Sequence, residues 1–397
     1  MAHQNNANNT SLTWGGVAAN KGTPDATTTA QRRALYLKLF SGELFKGFQR
    51  NTIARDLITK RTLKNGKSMQ FIFTGRTNSE FHIPGQNILG NTDGAPPVAQ
   101  VEIQCDDLLI SSAFVYELDE TLSHFDLRGE ISRKIGYALA ENYDRRIFRA
   151  ITKAARKASP IQKTNFIEPG GTQIRVGGTG NGTDAYVPAN LVNAFYDAAA
   201  ALDEKGVSQD GRVAVLNPRQ YYELIQNAGT ATSSLINRDV TGTALQSGQG
   251  IVEIAGIKVY KSMNIPFFGR FGTKYGGSGA TGTGVTDPGN TGSFVSEDMG
   301  NWAEQTGAPA GGQQTVNDYG EGNKFDNSCG LIFQKDAVGC VEAIGPQVQV
   351  TSGDVSVIYQ GDVILGRLAM GVAPLNPAAA VELIAGIAPN TGVAQAF

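Results

Sequence analysis

One stretch limits this chain's fold more than any other. From Leu127 an apolar residue returns every fourth position, at Ile131, Ile135, Leu139, Tyr143, Ile147, Ile151 and Ala155, which is the spacing of a stripe along one face of an α-helix. Asp126 stands where an N-cap belongs, and Pro160 where a helix stops. The pattern predicts a helix over 126–158. At 1.5 Å per residue it would be about 50 Å long, more than an ordinary domain needs to cover one sheet. Its remaining faces carry Arg128, Arg133, Lys134, Arg145, Arg146, Arg149, Lys153, Arg156 and Lys157 against Glu130, Glu141 and Asp144. The direct reading is a solvated basic face; the alternative is contact with acidic neighbours or nucleic acid.

The segments around this helix alternate between extended and open character. Residues 1–30 show no apolar period and read as an arm. In 34–48, Leu37, Phe40, Leu44 and Phe48 fall at helical spacing, but Gly42 and Gly47 weaken a free helix, so the stretch needs something to dock against. Leu57–Leu63 and Ser68–Thr74 flank Lys64-Asn65-Gly66-Lys67, a turn that predicts a hairpin or a strand-turn-strand. A polar excursion then leads to a strand at 98–103, and 108–118 reads as another. Beyond a Gly/Thr/Asn-rich link at 170–184, helices are expected at 191–202 and 218–226, the second opened by Asn217-Pro218. A short buried strand is expected at 212–216 and a strand with a bulge near Gly256 at 250–260. Strands return at 329–333, 338–344 and 348–359, and an apolar stretch closes the chain at 363–384. Between them, 269–322 is the most glycine-biased segment. It buries too little apolar surface to offset its own ordering entropy and reads as a surface insertion.

Composition removes several function classes. With 34 basic against 36 acidic residues and only 18% charged, no global field draws the chain to nucleic acid or an anionic membrane. No apolar run reaches the roughly 18 residues of a membrane span, and the polar N-terminus lacks the core of a secretory signal; a cytoplasmic protein is expected. Cys105, Cys329 and Cys340 are too scattered for a disulfide framework or a zinc cluster and should be reduced and mostly buried. His3, His82 and His124 offer few parts for acid/base chemistry. His124 with Asp126 lacks a nucleophile and an oxyanion donor, and His82 beside Phe81 and Ile83 suggests packing. Gly277-Ser278-Gly279-Ala280-Thr281-Gly282 matches the dinucleotide fingerprint, but neither strand nor helix flanks it. Gly66-Lys67-Ser68 has Arg61 where a phosphate loop needs its first glycine. No catalytic residue, metal or cofactor is implied, and what remains is the build of an assembling protein.

The succession of segments resembles the major capsid proteins of short-tailed bacteriophages of the T-seven-like group, with the fold shared by tailed-phage and herpesvirus capsids. The resemblance is carried in order by ALYLKLFSGELFKGF (34–48), GKSMQF and GRT (66–71, 75–77), PGQNI (84–88) and FDLRGEISRKIGYALAENYDRRIF (125–148). LNPRQYYELI (216–225), DAVGCV (336–341) and YQGDVILGRLAMGVAPLNPAAAVEL (359–383) complete it. It implies an α+β fold with an N-terminal arm at 1–50 and an extended hairpin loop at 67–105 that reaches across a neighbouring subunit. A peripheral domain at 51–66, 106–187 and 333–368 would carry the long spine helix. An axial domain at 188–332 and 369–397 would hold the insertion at 269–322. The implied function is a shell subunit forming hexamers and pentamers of an icosahedral head around double-stranded DNA. Its partners would be other copies, a scaffolding protein, a portal protein, packaged DNA held weakly, and in some heads a decoration protein.

Inter-subunit contact candidates on this reading are Leu37, Phe40 and Phe48 on the arm, Arg76, Phe81, His82 and Pro84 on the loop, and Arg145 and Arg146 on the helix. Three alternatives are a tail-tube protein, a surface-layer protein, and an enzyme with a nucleotide domain at 188–260.

Overall fold

The computed structural model describes residues 53–77, 81–85, 96–117, 127–163, 166–177, 184–185, 187–226, 253–265, 317, 319, 328–350 and 360–385. Expectations for the arm, for His124 and Asp126, for 277–282 and for the strand beyond Val350 lie outside these residues. In chain order the elements are β1 (Thr59–Thr62), β2 (Ser68–Thr74), β3 (Val98–Gln104), β4 (Leu109–Tyr116), α1 (Leu127–Ala155), β5 (Gln162–Lys163), β6 (Phe166–Ile167), β7 (Thr172–Val176) and α2 (Pro188–Glu204). They continue with β8 (Arg212–Leu216), α3 (Pro218–Gln226), β9 (Glu253–Ile254), β10 (Ile257–Lys261), β11 (Ser328–Gln334), β12 (Val338–Val350), β13 (Gly361–Pro374) and β14 (Ala380–Ala385). Mixed helix and sheet bears out the α+β expectation.

The chain divides into two compact units, and α1, β12 and β13 each run on from one into the other. In the unit holding 108–142 and 344–369, β4 lies antiparallel on β13 from Leu109↔Leu368 to Tyr116↔Gly361. The first half of α1 covers this pair through Ile135 and Leu139, which lie so close to Gly366 that a Cβ there would meet both side chains. Arg128 joins Asp362 at 2.8 Å on the same unit.

The second unit is built on a six-stranded sheet in the order β9-β10-β8-β11-β14-β7. β8 lies between parallel β10 and antiparallel β11, and all five of its residues are buried. That is why 213–216, after Arg212, reads as an unbroken apolar run. α2 lays Leu191, Ala194, Phe195, Ala198 and Leu202 on one face of the sheet, against Ile174, Leu216, Ile257, Ile332 and Leu383. Each large apolar side chain so buried contributes about 1.5–3 kcal/mol. In the same unit β2 and β3 form a separate antiparallel ribbon, and β1 runs parallel to β12.

Of the two alternatives at 57–74 the strand-turn-strand is found: β1 and β2 flank the Asn65-Gly66 turn without pairing, because each has a better partner elsewhere, β12 for β1 and β3 for β2. Two expectations are corrected. The stretch 250–260 is not one bulged strand. Ala255 and Gly256 both take positive φ, 52° and 76°, the geometry of a tight two-residue hairpin turn, so β9 and β10 fold back on each other. Finally, α1 is not amphipathic throughout. Its residues 143–150 are buried without interruption, so Arg145, Arg146 and Arg149, expected on a solvated face, are 2%, 3% and 1% exposed.

Candidate functional site

The most prominent exposed feature of the second unit is the β2–β3 ribbon. Pairing runs without a bulge from Ser68↔Gln104 to Thr74↔Val98. Strand alternation puts Ile72 and Val98 on one outer face, where they are 76% and 62% exposed. The ribbon is fastened at the end where the connection between its strands begins. Glu168 accepts the Arg76 backbone N–H at 2.7 Å, the Arg76 guanidinium donates to the Lys205 carbonyl at 2.5 Å, and its Nε stands 3.7 Å from Glu168 Oε2. Beyond this fastening, Phe81 is fully exposed and Ile83 largely so, and His82 and Pro84 are also exposed. A phenyl ring wholly in water forfeits its hydrophobic stabilisation.

Behind the ribbon, buried polar nodes tie distant segments of the second unit together. Asp144, inside α1, accepts the backbone N–H groups of Ile53 at 2.8 Å and Ala54 at 3.1 Å, and the Asn264 amide at 3.3 Å. Asp106, just after β3, accepts the Tyr319 hydroxyl at 2.6 Å and both the backbone and amide N–H of Asn317. The Tyr319 hydroxyl accepts the Val372 N–H, and Arg146 lies over its ring at 5.5 Å and 3.9 Å from Asp106. Burial, with the Asp106 charge adding to it, pushes the Tyr319 phenol well up. The end of the Gly-rich segment is therefore pinned inside the protein.

A third node centres on Tyr143. Its hydroxyl donates to Glu342 Oε1 at 2.5 Å and lies 3.2 Å from Cys340 Sγ. A phenol has one proton, so the thiol supplies the other bond and donates to the Tyr143 oxygen. Burial accordingly pushes the Cys340 thiol up to about 12. Burial alone would raise Glu342, yet the Arg55 and Tyr143 hydrogen bonds outweigh it and hold the carboxyl below its usual range. At the end of α1, Arg156 and Gln173 both bond Glu382, which is wholly buried. These groups spend their hydrogen bonds on one another and on backbone, so their chemistry is fastening.

Among the sequence-derived candidates, Arg76, Phe81, His82 and Pro84 are all exposed, as a contact surface requires. Leu37, Phe40 and Phe48 lie outside the described residues. Arg145 and Arg146 are corrected: both are buried within their own protomer, because the second half of α1 is enclosed on every side, and they do not present themselves to a neighbour. Sequence reasoning missed Asp106, Asp144, Tyr319 and Glu382. Only the density of arginine on one helix of a protein that is 18% charged hinted that carboxylates were needed nearby. The three cysteines are free, with Cys329 and Cys340 buried and Cys105 partly so. Among the described residues no three His, Cys, Asp or Glu side chains gather as for a metal, and no helix is long and apolar enough to cross a membrane.

Comparison with known proteins accounts for this build. Residues 71–306 match the family model described as Gp10A-like major capsid protein. The capsid structure of the cyanophage P-SCSP1u is 30% identical, covers 93% of this chain and 98% of its own, and superposes with a TM-score of 0.64. The major capsid protein of Escherichia phage T7 is 24% identical over 88% of this chain and 92% of its own length. The mature capsid of bacteriophage PhiM1, at 15% identity and a TM-score of 0.60, shares the fold. The chain carries a phage capsid fold, and it belongs to the Gp10A-like major capsid protein family.

Proposed function

We propose that the protein assembles as hexamers and pentamers into an icosahedral head that encloses double-stranded DNA, in the host bacterial cytoplasm and with the help of a scaffolding and a portal protein. A decoration protein is a further partner on this reading. The peripheral domain comprises 51–66, 106–187 and 333–368, the axial domain 188–332 and 369–397. The arm at 1–50 and the loop at 67–105 supply the contacts that reach a neighbour. The observation that carries the proposal is the ribbon, fastened at Arg76 and ending beside a fully exposed Phe81. Each subunit joins several neighbours at once, so modest contacts sum through high effective concentration into a closed shell.

Negative-stain microscopy of the chain expressed alone and with a scaffolding partner tests this reading. Closed polyhedral shells are expected; tubes would return the tail-tube alternative. Deleting residues 1–30 or 84–97, or substituting Phe81→Ser, should leave a folded protomer that fails to assemble. Shells of normal size and heat resistance from these variants would remove the assembly role of the arm and loop.

A further inference from the structure

The enclosure of α1 leaves open where this protein presents positive charge. Of the helix cations expected at the surface, Arg145, Arg146 and Arg149 are buried, and Arg128, Arg133 and Lys134 face the carboxylates of Asp362 and Glu130. We propose that Arg61, Lys64 and Lys67, on β1 and the turn after it, form a surface that receives the phosphodiester backbone of duplex DNA inside the head. This rests on the reading that the head encloses DNA.

Between Asp56 and Glu80 the chain has no acidic residue, yet it carries Lys60, Arg61, Lys64, Lys67 and Arg76, in a protein whose net charge is −2. Nearby carboxylates are already engaged. Asp56 holds Lys60 at 3.4 Å, Glu342 holds Arg55 at 3.2 Å and accepts from Tyr143, and Asp336 accepts the Thr59 hydroxyl. Glu102 lies exposed on β3, paired across the ribbon with Gln70. Among the described residues no ion pair claims Arg61, Lys64 or Lys67, and all three are exposed.

The turn that carries the lysines is held at both ends. Leu63 N–H donates to the Glu342 carbonyl at 2.8 Å before it, and the Lys67 carbonyl accepts the Cys105 N–H at 2.9 Å after it. Gly66 takes a φ of +97° with only the Ser68 carbonyl, at 3.9 Å, near its missing side chain, so a phosphate can approach the backbone closely. Arg61 is steadied with its guanidinium 5.6 Å from the centre of the Phe71 ring. The stretch Arg61-Thr62-Leu63-Lys64-Asn65-Gly66-Lys67 presents donors, and its one large apolar side chain, Leu63, is buried. Protein partners need buried aromatic or aliphatic anchors. Phosphates are held by Lys, Arg, Thr, Asn and backbone N–H groups, which is the set found here. Three cations give a weak, non-specific grip, suited to DNA that must slide past the wall.

Binding of a 30-base-pair duplex to the full-length protein, followed by fluorescence anisotropy across a salt series, tests the proposal. Each phosphate neutralised adds about 0.9 to the slope of log affinity against log salt. The double variant K64Q/K67Q should therefore flatten that slope by about 1.8 and weaken binding at 50 mM salt by about tenfold or more, with an unchanged melting temperature. K157Q/K258Q, which removes two exposed lysines elsewhere, should behave as wild type. If the wild type binds DNA and K64Q/K67Q binds with the same slope, this surface is wrong and the DNA-enclosing reading stands. If the wild type binds no duplex at low salt, the proposed surface is wrong, while the DNA-enclosing reading is decided separately by whether assembled heads protect DNA from nuclease. If polyglutamate peptide instead binds in a Lys64- and Lys67-dependent way, the surface serves an acidic protein and the proposal is overturned.

Discussion

Arg156 and Glu382, 226 residues apart, meet as a bidentate pair, Nε to Oε2 at 2.7 Å and Nη2 to Oε1 at 2.6 Å. Glu382 sits in the middle of β14, opposite Leu331 on β11 and Gln173 on β7, so the pair bolts the end of the long helix to the six-stranded sheet. Removing one partner of a buried pair leaves the other charge uncompensated and costs about 3–5 kcal/mol. Glu382→Gln should show that loss in urea unfolding of the unassembled protomer. The double variant R156M/E382L should recover most of it, because two apolar side chains leave no charge stranded.

Asp144 fixes the root of the N-terminal segment by capping the turn at Ala54–Asp56. Asp144→Ala orphans two N–H groups that stay near a protein interior, at about 1–3 kcal/mol each. Limited proteolysis should then cut near residues 50–60 while the circular dichroism of the rest is kept. Asp144→Asn retains one acceptor oxygen and should give intermediate protection.

Two glycines near the same helix should respond in opposite directions to alanine. A Cβ at Gly171 would run into the carbonyls of Ala154 and Ala155, so Gly171→Ala displaces the strand entry from the helix end and should give largely insoluble protein. Gly136, within α1, has nothing within 4 Å of the added carbon. Gly136→Ala should raise the melting temperature, by up to about 1 kcal/mol of stability, because it removes backbone entropy from the unfolded chain.

Alkaline pH should loosen the Tyr143 node. The Cys340 thiol is raised from 9.0 to about 12 in the folded protein, and Tyr143 is raised as well, burial being the largest cause. The folded state thus holds protons that the unfolded state releases. The stabilisation is complete below about pH 9 and is lost as pH climbs toward 12. Urea midpoints at pH 7 and 9 should lie close together and fall by pH 10.5, and Cys340→Ala should fall less steeply. At pH 8, Cys340 and Cys329 should resist alkylation until the protein unfolds.

The elements legible in the residues were those with a local cause. The four-residue period of Leu127 to Ala155 gave a helix, the apolar run 213–216 gave a central strand, and Asn217-Pro218 opened α3 where its chemistry allows. The partnering of β1 and β2 was not legible, since a turn signal says that the chain bends and leaves open which strand each arm will pair with. The arginines of α1 misled for a related reason. Composition identifies a charge, but its exposure depends on carboxylates brought from 40 or more positions away, as Asp106 is to Arg146 and Glu382 to Arg156.

For this protein, then, the sequence alone settled the ordered chain of segments and with it the family likeness, the long helix and the absence of any recognisable catalytic motif. Those follow from local periodicity and from composition, which do not depend on distant contacts. The tertiary structure decided which charges are hidden, which strand ends a sheet and where Asp106, Asp144 and Glu382 fasten it. Burial and long-range pairing are properties of the folded chain, because a carboxylate acquires its role only when folding brings a distant donor within hydrogen-bond reach.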